Sequence, residues 1–418
     1  RSVRLTGIGH RFNILSVHYF YLKEEGSFIM DIKEVAKKYA DYQINMRRYF
    51  HENPELSEKE FNTSKVVKEE LDKIGVPWVP CGLETGVLAT IKGSKPGKTI
   101  LLRGDMDALT VTEKTGLPFT SKNPGVMHAC GHDCHISMML TAAHILNDMK
   151  EDLCGTVKLA FQPAEEVATG APAMIKDGAL EGVDGCFAIH VWFDVDAGHI
   201  SCDAGPRMGA ANMFTIDVTG KGGHGATPHN CTDAVVVQAA IINNLQSMVS
   251  REFSPMEPVV VTVGEVKAGY RWNVIAESAH LGGTSRCFSK EIFTALPKVI
   301  DRIASETAAA YRATAVTKNT VLCPPVINDE HMADVVKNAS RKVIAPDAPA
   351  TVPATMGGED FAFFMDKVPG CVCQLGIRNE ACKAIYPQHS CYYTVDESAL
   401  LGGAMLYAQT ALDFNAEK

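Results

Sequence analysis

Apolar residues recur along most of the chain with two periods. After Met30, Ile32, Val35, Ala36 and Tyr39 fall at i, i+3, i+4 and i+7, which predicts one face of a helix. Short apolar runs at 99–102, 157–161 and 186–191 predict buried strands, and 136–149 predicts a helix that follows a loop. Helices and strands alternating up to about residue 208 imply an α/β sheet with helices on both faces. Such sheets form their sites at the C-terminal ends of strands. Here the three predicted strands run into Asp105 and Asp107, into Glu165 and Glu166, and into His190. The pattern changes over 209–321, where strands at 214–218, 259–266 and 280–288 are separated by helices at 234–249 and 292–309. That is a small α+β unit of β-α-β-β-α-β style. Beyond Pro324 the first style resumes, with a helix near 331–343, a strand near 371–375 and a final helix from Asp396. The simplest organisation is a catalytic domain of residues 30–208 and 322–418, interrupted by an inserted domain of residues 209–321.

Residues 1–29 mix Arg, His, Phe and Tyr without a clear period, and the chain starts at Arg1. The run Lys23-Glu24-Glu25-Gly26 matches purine-rich codons that would contain a ribosome-binding sequence shortly before Met30. We therefore expect 1–29 to be a translated leader or a disordered arm, with Met30 as the natural start. The acidic Glu24 and Glu25 argue against a mitochondrial presequence.

Composition narrows the class. A chain of 418 residues is more than one core usually fills, which agrees with two domains. A net charge of −9 argues against a nucleic-acid binder that relies on a basic face. No apolar run reaches the roughly 18 residues of a membrane span. Thirteen scattered cysteines, without a secretory signal, suggest reduced thiols in a cytoplasmic protein.

The chemistry is concentrated in His128-Ala129-Cys130-Gly131-His132-Asp133-Cys134-His135. Thiolate and imidazole are the usual zinc donors, and imidazole with carboxylate also suits manganese and cobalt. The spacing is not that of a zinc finger, because no second Cys-x₂-Cys pair follows. Adjacent carboxylates such as Glu165 and Glu166 repel, so one must be held by a metal or by hydrogen bonds. A natural division is one ligand and one general base that acts on water. Alone, the Glu pair would read as a solvated turn and His190 as a core histidine; at strand ends beside the His/Cys cluster they read as a site.

Several ordered motifs then carry a resemblance. Arg47-Arg48-Tyr49-Phe50-His51-Glu52, Arg103-Gly104-Asp105-Met106-Asp107, the 128–135 cluster and Gln162-Pro163-Ala164-Glu165-Glu166 occur in order. Gly220-Lys221-Gly222-Gly223-His224, Asn273-Val274-Ile275, Gly283-Thr284-Ser285-Arg286 and Glu359-Asp360-Phe361 follow. Over about residues 31–413 the chain resembles the M20 metallopeptidase family, in its amidohydrolase branch of hippurate, indole-acetyl-amino-acid and aminobenzoyl-glutamate hydrolases.

The resemblance implies a zinc-peptidase-like α/β catalytic domain with a mostly parallel, helix-covered sheet and an inserted ferredoxin-like dimerisation domain. It implies two divalent metal ions per subunit (Mn, Zn or Co) on Cys130, His132, Glu166, His190 and His389, with Cys130 able to bridge them. Glu165 falls on the general base and Asp107 on a carboxylate that orients the centre. His224 matches a residue that the partner subunit supplies to the oxyanion, while Asn273 and Arg286 would hold the substrate's free carboxylate. The implied function is cleavage of N-acyl or N-aroyl amino acids to a carboxylic acid and a free amino acid by metal-activated water, in a homodimer joined through 209–321. The implied partner is a small molecule, with neither nucleic acid nor membrane involved. A dipeptidase or aminopeptidase of the same fold is the alternative. A non-catalytic metal binder is disfavoured by the intact Glu165, and a redox enzyme by the lack of Cys-x-x-Cys. Ala276-Glu277 after the Asn273 motif, and Ser390-Cys391-Tyr392 after His389, depart from the branch near the expected pocket and leave the substrate open.

Overall fold

The computed structural model describes residues 21–22 and 28–417. Of the expected leader, Tyr21–Leu22 pairs antiparallel with Phe28–Ile29; the rest of 1–29 lies outside the described residues.

A seven-stranded sheet forms the larger layer, in the order Trp78–Pro80, Val87–Lys92, Cys154–Gln162, Lys95–Asp105, Gly185–Asp196, Gly370–Arg378 and Ile200–Ser201. The four strands from Cys154–Gln162 to Gly370–Arg378 run parallel, and antiparallel strands finish both edges. Parallel strands must be covered on both faces, and strand alternation does this here. Ile100 and Leu102 point into a core shared with helices His132–Asp148, Glu330–Val343 and Leu400–Asn415. Leu101 points the other way, into a core with Ala171, Met174, Phe361 and Phe364.

A four-stranded antiparallel sheet lies between Ala210 and Cys323, in the order Val259–Ala268, Ser278–Cys287, Ala210–Thr219, Thr314–Cys323. With helices Ala234–Arg251 and Lys290–Ala310 this is the ferredoxin-like arrangement. Phe214, Ile216 and Val218 pack against Val237, Ile241, Leu296 and Ile300, whereas Met213 and Asp217 face outward. One covered face and one solvated face is the normal condition of an antiparallel sheet.

Several elements differ from the sequence pattern. The predicted helix after Met30 is two helices, Ile32–Lys37 and Ala40–Glu52, separated at Tyr39, whose φ and ψ of −109° and 4° are not helical. The helix expected at 136 begins at His132, because Gly131 (φ 92°) turns the chain directly into it. A side chain at Gly131 would stand 2.4 Å from Val191 and 2.8 Å from the Tyr393 hydroxyl. The last helix starts at Leu400, after a 3-10 turn Glu397–Ala399 capped by Asp396.

Candidate metal centre

Each donor is delivered by its own device. Cys130 and His132 flank Gly131 at the start of helix His132–Asp148. His190 lies within strand Gly185–Asp196. Glu165 and Glu166 follow strand Cys154–Gln162 in a turn that puts Ala164 in the left-handed region, at φ 53°. That conformation costs a non-glycine residue roughly 1–3 kcal/mol, and the surroundings hold it. The Ala164 N–H donates to Glu60 Oε1 (2.8 Å), while the Glu165 and Glu166 N–H groups donate to the two Asp107 oxygens, each at 3.1 Å. His389, also left-handed at φ 67°, is anchored by its N–H on the Ala129 carbonyl at 2.7 Å.

The candidate donor atoms include two groups of three that share one sulfur: Cys130, His132 and His190, and Cys130, Glu166 and His389. Within each group the atoms lie within 4.8 Å of one another. The ring orientations are fixed. His132 Nδ1 donates to the Asp107 carbonyl and His190 Nδ1 to the Val191 carbonyl, both at 2.8 Å. Each Nε2 therefore faces the same space, the arrangement that a backbone partner imposes on a metal-ligating histidine. His132 Nε2 and Glu166 Oε1 are buried without any hydrogen-bond partner. Orphaned buried donors and acceptors are costly unless something occupies the cradle, and a thiol, imidazoles and a carboxylate are a transition-metal set.

His135 sits in the same cluster but is committed elsewhere. Its Nε2 accepts the Val191 N–H at 3.0 Å and its Nδ1 donates to Asp105 at 2.5 Å, so no lone pair remains for a metal.

The electrostatics favour a cation. Burial opposes charge on His132, yet Asp105 and Asp107 raise its pKa to about 10. Burial and its histidine neighbours push His190 well below the usual range, which keeps it neutral. Burial, then Glu359, Glu166 and Asp360, push the Glu165 carboxyl well up, and burial with Glu166, Glu165 and Asp105 does the same to the Cys130 thiol. The protein alone thus favours positive charge at His132 and disfavours further negative charge nearby. A divalent ion held here would satisfy both and would ionise a thiol that coordinated it.

Beneath the donors lies a network whose roles the sequence did not suggest. Arg103, wholly buried, binds Asp105 (2.5 Å), Glu359, Asp360 (3.0 Å) and Gln162 (2.9 Å). The Asp360 N–H reaches Glu165 Oε1 at 3.3 Å. A second buried group joins Arg47 to Asp133 (3.1 Å) and Asp133 to His51 (2.7 Å), bracing the first turn of the helix that carries His132. Ser57 donates to Asp107 at 2.6 Å. The readable signal was Arg103 itself, a cation inside a buried apolar strand that needs a partner, with Asp105 two residues on along the same face.

Above the floor is a cavity of about 430 Å³ whose lining includes Cys130, Glu165, Glu166, His190, His389 and Arg286. Trp192, Met208 and Leu322 supply apolar wall. Neither His224 nor Asn273 lines it. They lie together in the inserted unit, where His224 pairs with Val274 and the Gly225 N–H bonds the Asn273 carbonyl at 3.0 Å. His224 is exposed.

Comparison with known proteins agrees with this geometry. The chain belongs to peptidase family M20/M25/M40, whose model matches residues 101–413. It is 39% identical over 390 residues to a thermostable carboxypeptidase of Saccharolobus solfataricus, covering 92% of this chain and 98% of that protein. It is 37% identical to the N-acetyl-L-cysteine deacetylase of Bacillus subtilis, covering 90% and 89%. A solved dinuclear metal-binding peptidase of the M20 family from Bacillus subtilis superposes with a TM-score of 0.79 at 35% identity, covering 90% of this chain and 98% of that one. The protein is a metal-dependent amide hydrolase that uses two divalent ions.

Proposed function

We propose that the protein hydrolyses N-acyl or N-aroyl amino acids to a carboxylic acid and a free amino acid. The observation that carries this is the span of one cavity, from Glu165 and the two donor groups to Arg286. Arg286 Nη1 is tied to Thr284 Oγ1 (2.5 Å) and to the Ser285 carbonyl (3.2 Å), which orients the guanidinium for a two-point grip on a carboxylate. A substrate held there by its amino-acid carboxylate presents the neighbouring amide to Glu165. Glu165 takes the proton of the attacking water and passes it to the leaving amine. Ions held by Cys130, His132, Glu166, His190 and His389 would polarise the scissile carbonyl and lower the pKa of water; manganese, zinc or cobalt suits this mixed donor set. Asp107 keeps the Glu165–Glu166 turn and His132 in register.

The oxyanion donor is His224. Its Nδ1 accepts the Ala226 N–H at 3.0 Å, so the ring proton is on Nε2 and aimed outward. Since His224 is outside its own cavity, we assign it to the partner's site in a homodimer joined through 209–321. Strand Val259–Ala268 supports this as an unpaired edge beside helix Ala234–Arg251, which exposes Val235 and Val236. All thirteen cysteines are unpaired, in keeping with a reducing compartment such as the cytoplasm.

The relative named a carboxypeptidase favours a second reading, in which the acyl group is itself a peptide. A panel of hippurate, N-acetyl amino acids and aminobenzoyl-glutamate against unblocked dipeptides, with metal analysis, tests both. Turnover confined to the unblocked dipeptides would overturn the first.

A further inference from the structure

Large apolar side chains fully open to water are uncommon, and on a protein of ordinary composition they mark contact sites. Trp272 is 92% exposed and Tyr270 77%. Both belong to the turn between strand Val259–Ala268 and the short strand Val274–Ile275. This turn is built onto the strand of His224: His224 pairs with Val274, and Asn273, next to Trp272, accepts the Gly225 N–H. Gly269 takes the left-handed φ of 68° where the chain leaves strand Val259–Ala268 for this turn, and a side chain there would stand 3.9 Å from Val235 at the start of the exposed helix face. The tip thus exposes His224 on one short strand and, on the turn that leads into the paired strand, Tyr270, Arg271 and Trp272.

The cavity shows the complementary gap. Its polar end, Arg286, and its metal end belong to one chain, and its wall is apolar at Trp192, Met208 and Leu322. At its rim Val167 stays 47% exposed. If His224 reaches the scissile carbonyl, the neighbouring rings come down close to that carbonyl. Arg286 of the cavity's own chain takes the amino-acid carboxylate, and the wall at Trp192, Met208 and Leu322 gives the rings an apolar side to cover.

Resting on the dimer assigned above, we propose that Trp272, with Tyr270, is the specificity-determining residue for the acyl group. It closes over the apolar side of the partner subunit's cavity and selects an aromatic or long hydrocarbon acyl group over acetyl. Flat aromatic surface in contact with a ring buries area and stacks, whereas an acetyl methyl is too small to reach it.

The test compares N-benzoylglycine with N-acetylglycine, which share the amino acid and differ only in acyl group, on the metal-loaded full chain. Trp272→Ala should lose roughly 10- to 100-fold in kcat/KM on the benzoyl substrate and less than about threefold on the acetyl one, with Trp272→Phe restoring most of the loss. A second readout is tryptophan emission. Binding of N-benzoylglycine to the inactive Glu165→Gln variant should quench a component that Trp272→Phe in the same background lacks, while Trp78 and Trp192 remain. Equal loss on both substrates, or no loss, overturns the proposal. Light scattering separates it from its premise. A monomer with full activity overturns the dimer and the inference together. A dimer crippled by His224→Ala but indifferent to Trp272→Ala overturns the inference alone.

Discussion

On the floor of the cavity His132 is wholly buried and its Nδ1 is bonded to a backbone carbonyl, while Glu165 and Glu166 hang from a turn held by Asp107 and Glu60. At the tip of the inserted unit His224 is exposed, and its ring accepts a hydrogen bond from the Ala226 N–H two positions away. The floor is held by elements distant in sequence and leaves His132 Nε2 and Glu166 Oε1 without partners. The tip is a two-residue strand pairing, Gly223–His224 with Val274–Ile275, and leaves the His224 ring open to solvent. In the proposed roles, a group that keeps fixed geometry against other ligands is buried and braced, whereas one that meets a transient oxyanion stands on an exposed strand end. The contrast predicts that floor variants damage their own subunit and tip variants damage the neighbour.

The largest effect should come from the metals. Chelation should abolish amide hydrolysis, and Mn²⁺, Co²⁺ or Zn²⁺ should restore it; full activity in rigorously metal-free protein would remove the floor from the chemistry. Next, Glu165→Gln should keep both ions but lose roughly 10²–10⁴-fold in kcat, whereas Glu166→Gln should lose metal. Elemental analysis beside kinetics distinguishes the two, and the opposite outcome would invert their roles.

His224→Ala should keep its fold and metals and lose about 10²–10³-fold in kcat, the scale of one oxyanion donor. Mixing it with Glu165→Gln under subunit exchange should regenerate one sound site per heterodimer, up to roughly a quarter of wild-type activity in a random mixture. Verified exchange without recovery would put His224 in its own subunit's site or outside the chemistry. The mildest change is Asp107→Asn, which turns an amide N–H toward one of the two backbone N–H groups that now bond a carboxylate oxygen. Metal affinity should fall about 10- to 100-fold, the usual cost of altering a ligand's support. An unchanged metal titration would show that the turn needs no such anchor.

Much of the floor was legible in sequence. The His/Cys concentration in 128–135, the Glu pair after an apolar strand and His190 in another are each visible in a linear pattern, and the structure brings their donors together. The supports were less legible. Glu359 and Asp360 sit on a loop far along the chain, and nothing in their own neighbourhood says that they meet Arg103. Glu60 reads as a surface carboxylate until Ala164 is seen to need an acceptor. The helix begins at His132 and not at 136 for a local reason: histidines and a cysteine in its first turn hide the apolar period, and the turn made by Gly131 shows only in three dimensions. The short edge strands Trp78–Pro80 and Ile200–Ser201 carry too few residues for any period to register.

Strand Gly370–Arg378 lies in the interior of the large sheet, paired along its length with Gly185–Asp196, and the whole inserted unit is strung between them. This has a consequence for how the chain acquires its shape. Contacts between segments far apart in sequence carry a loop-closure cost before they bring any reward, and parallel pairings of this kind form slowly. A ribosome emits the inserted unit, whose contacts are nearer in sequence, before the strand that completes the sheet. His389 emerges later still, and with it the last donor of the second group. The catalytic half should therefore wait, open at one sheet edge, until its final quarter arrives, and metal capture by both groups should be among the last events of folding. Refolding followed by metal release into a coloured chelator should show the inserted unit regaining helix first and the ions becoming protected only at the end.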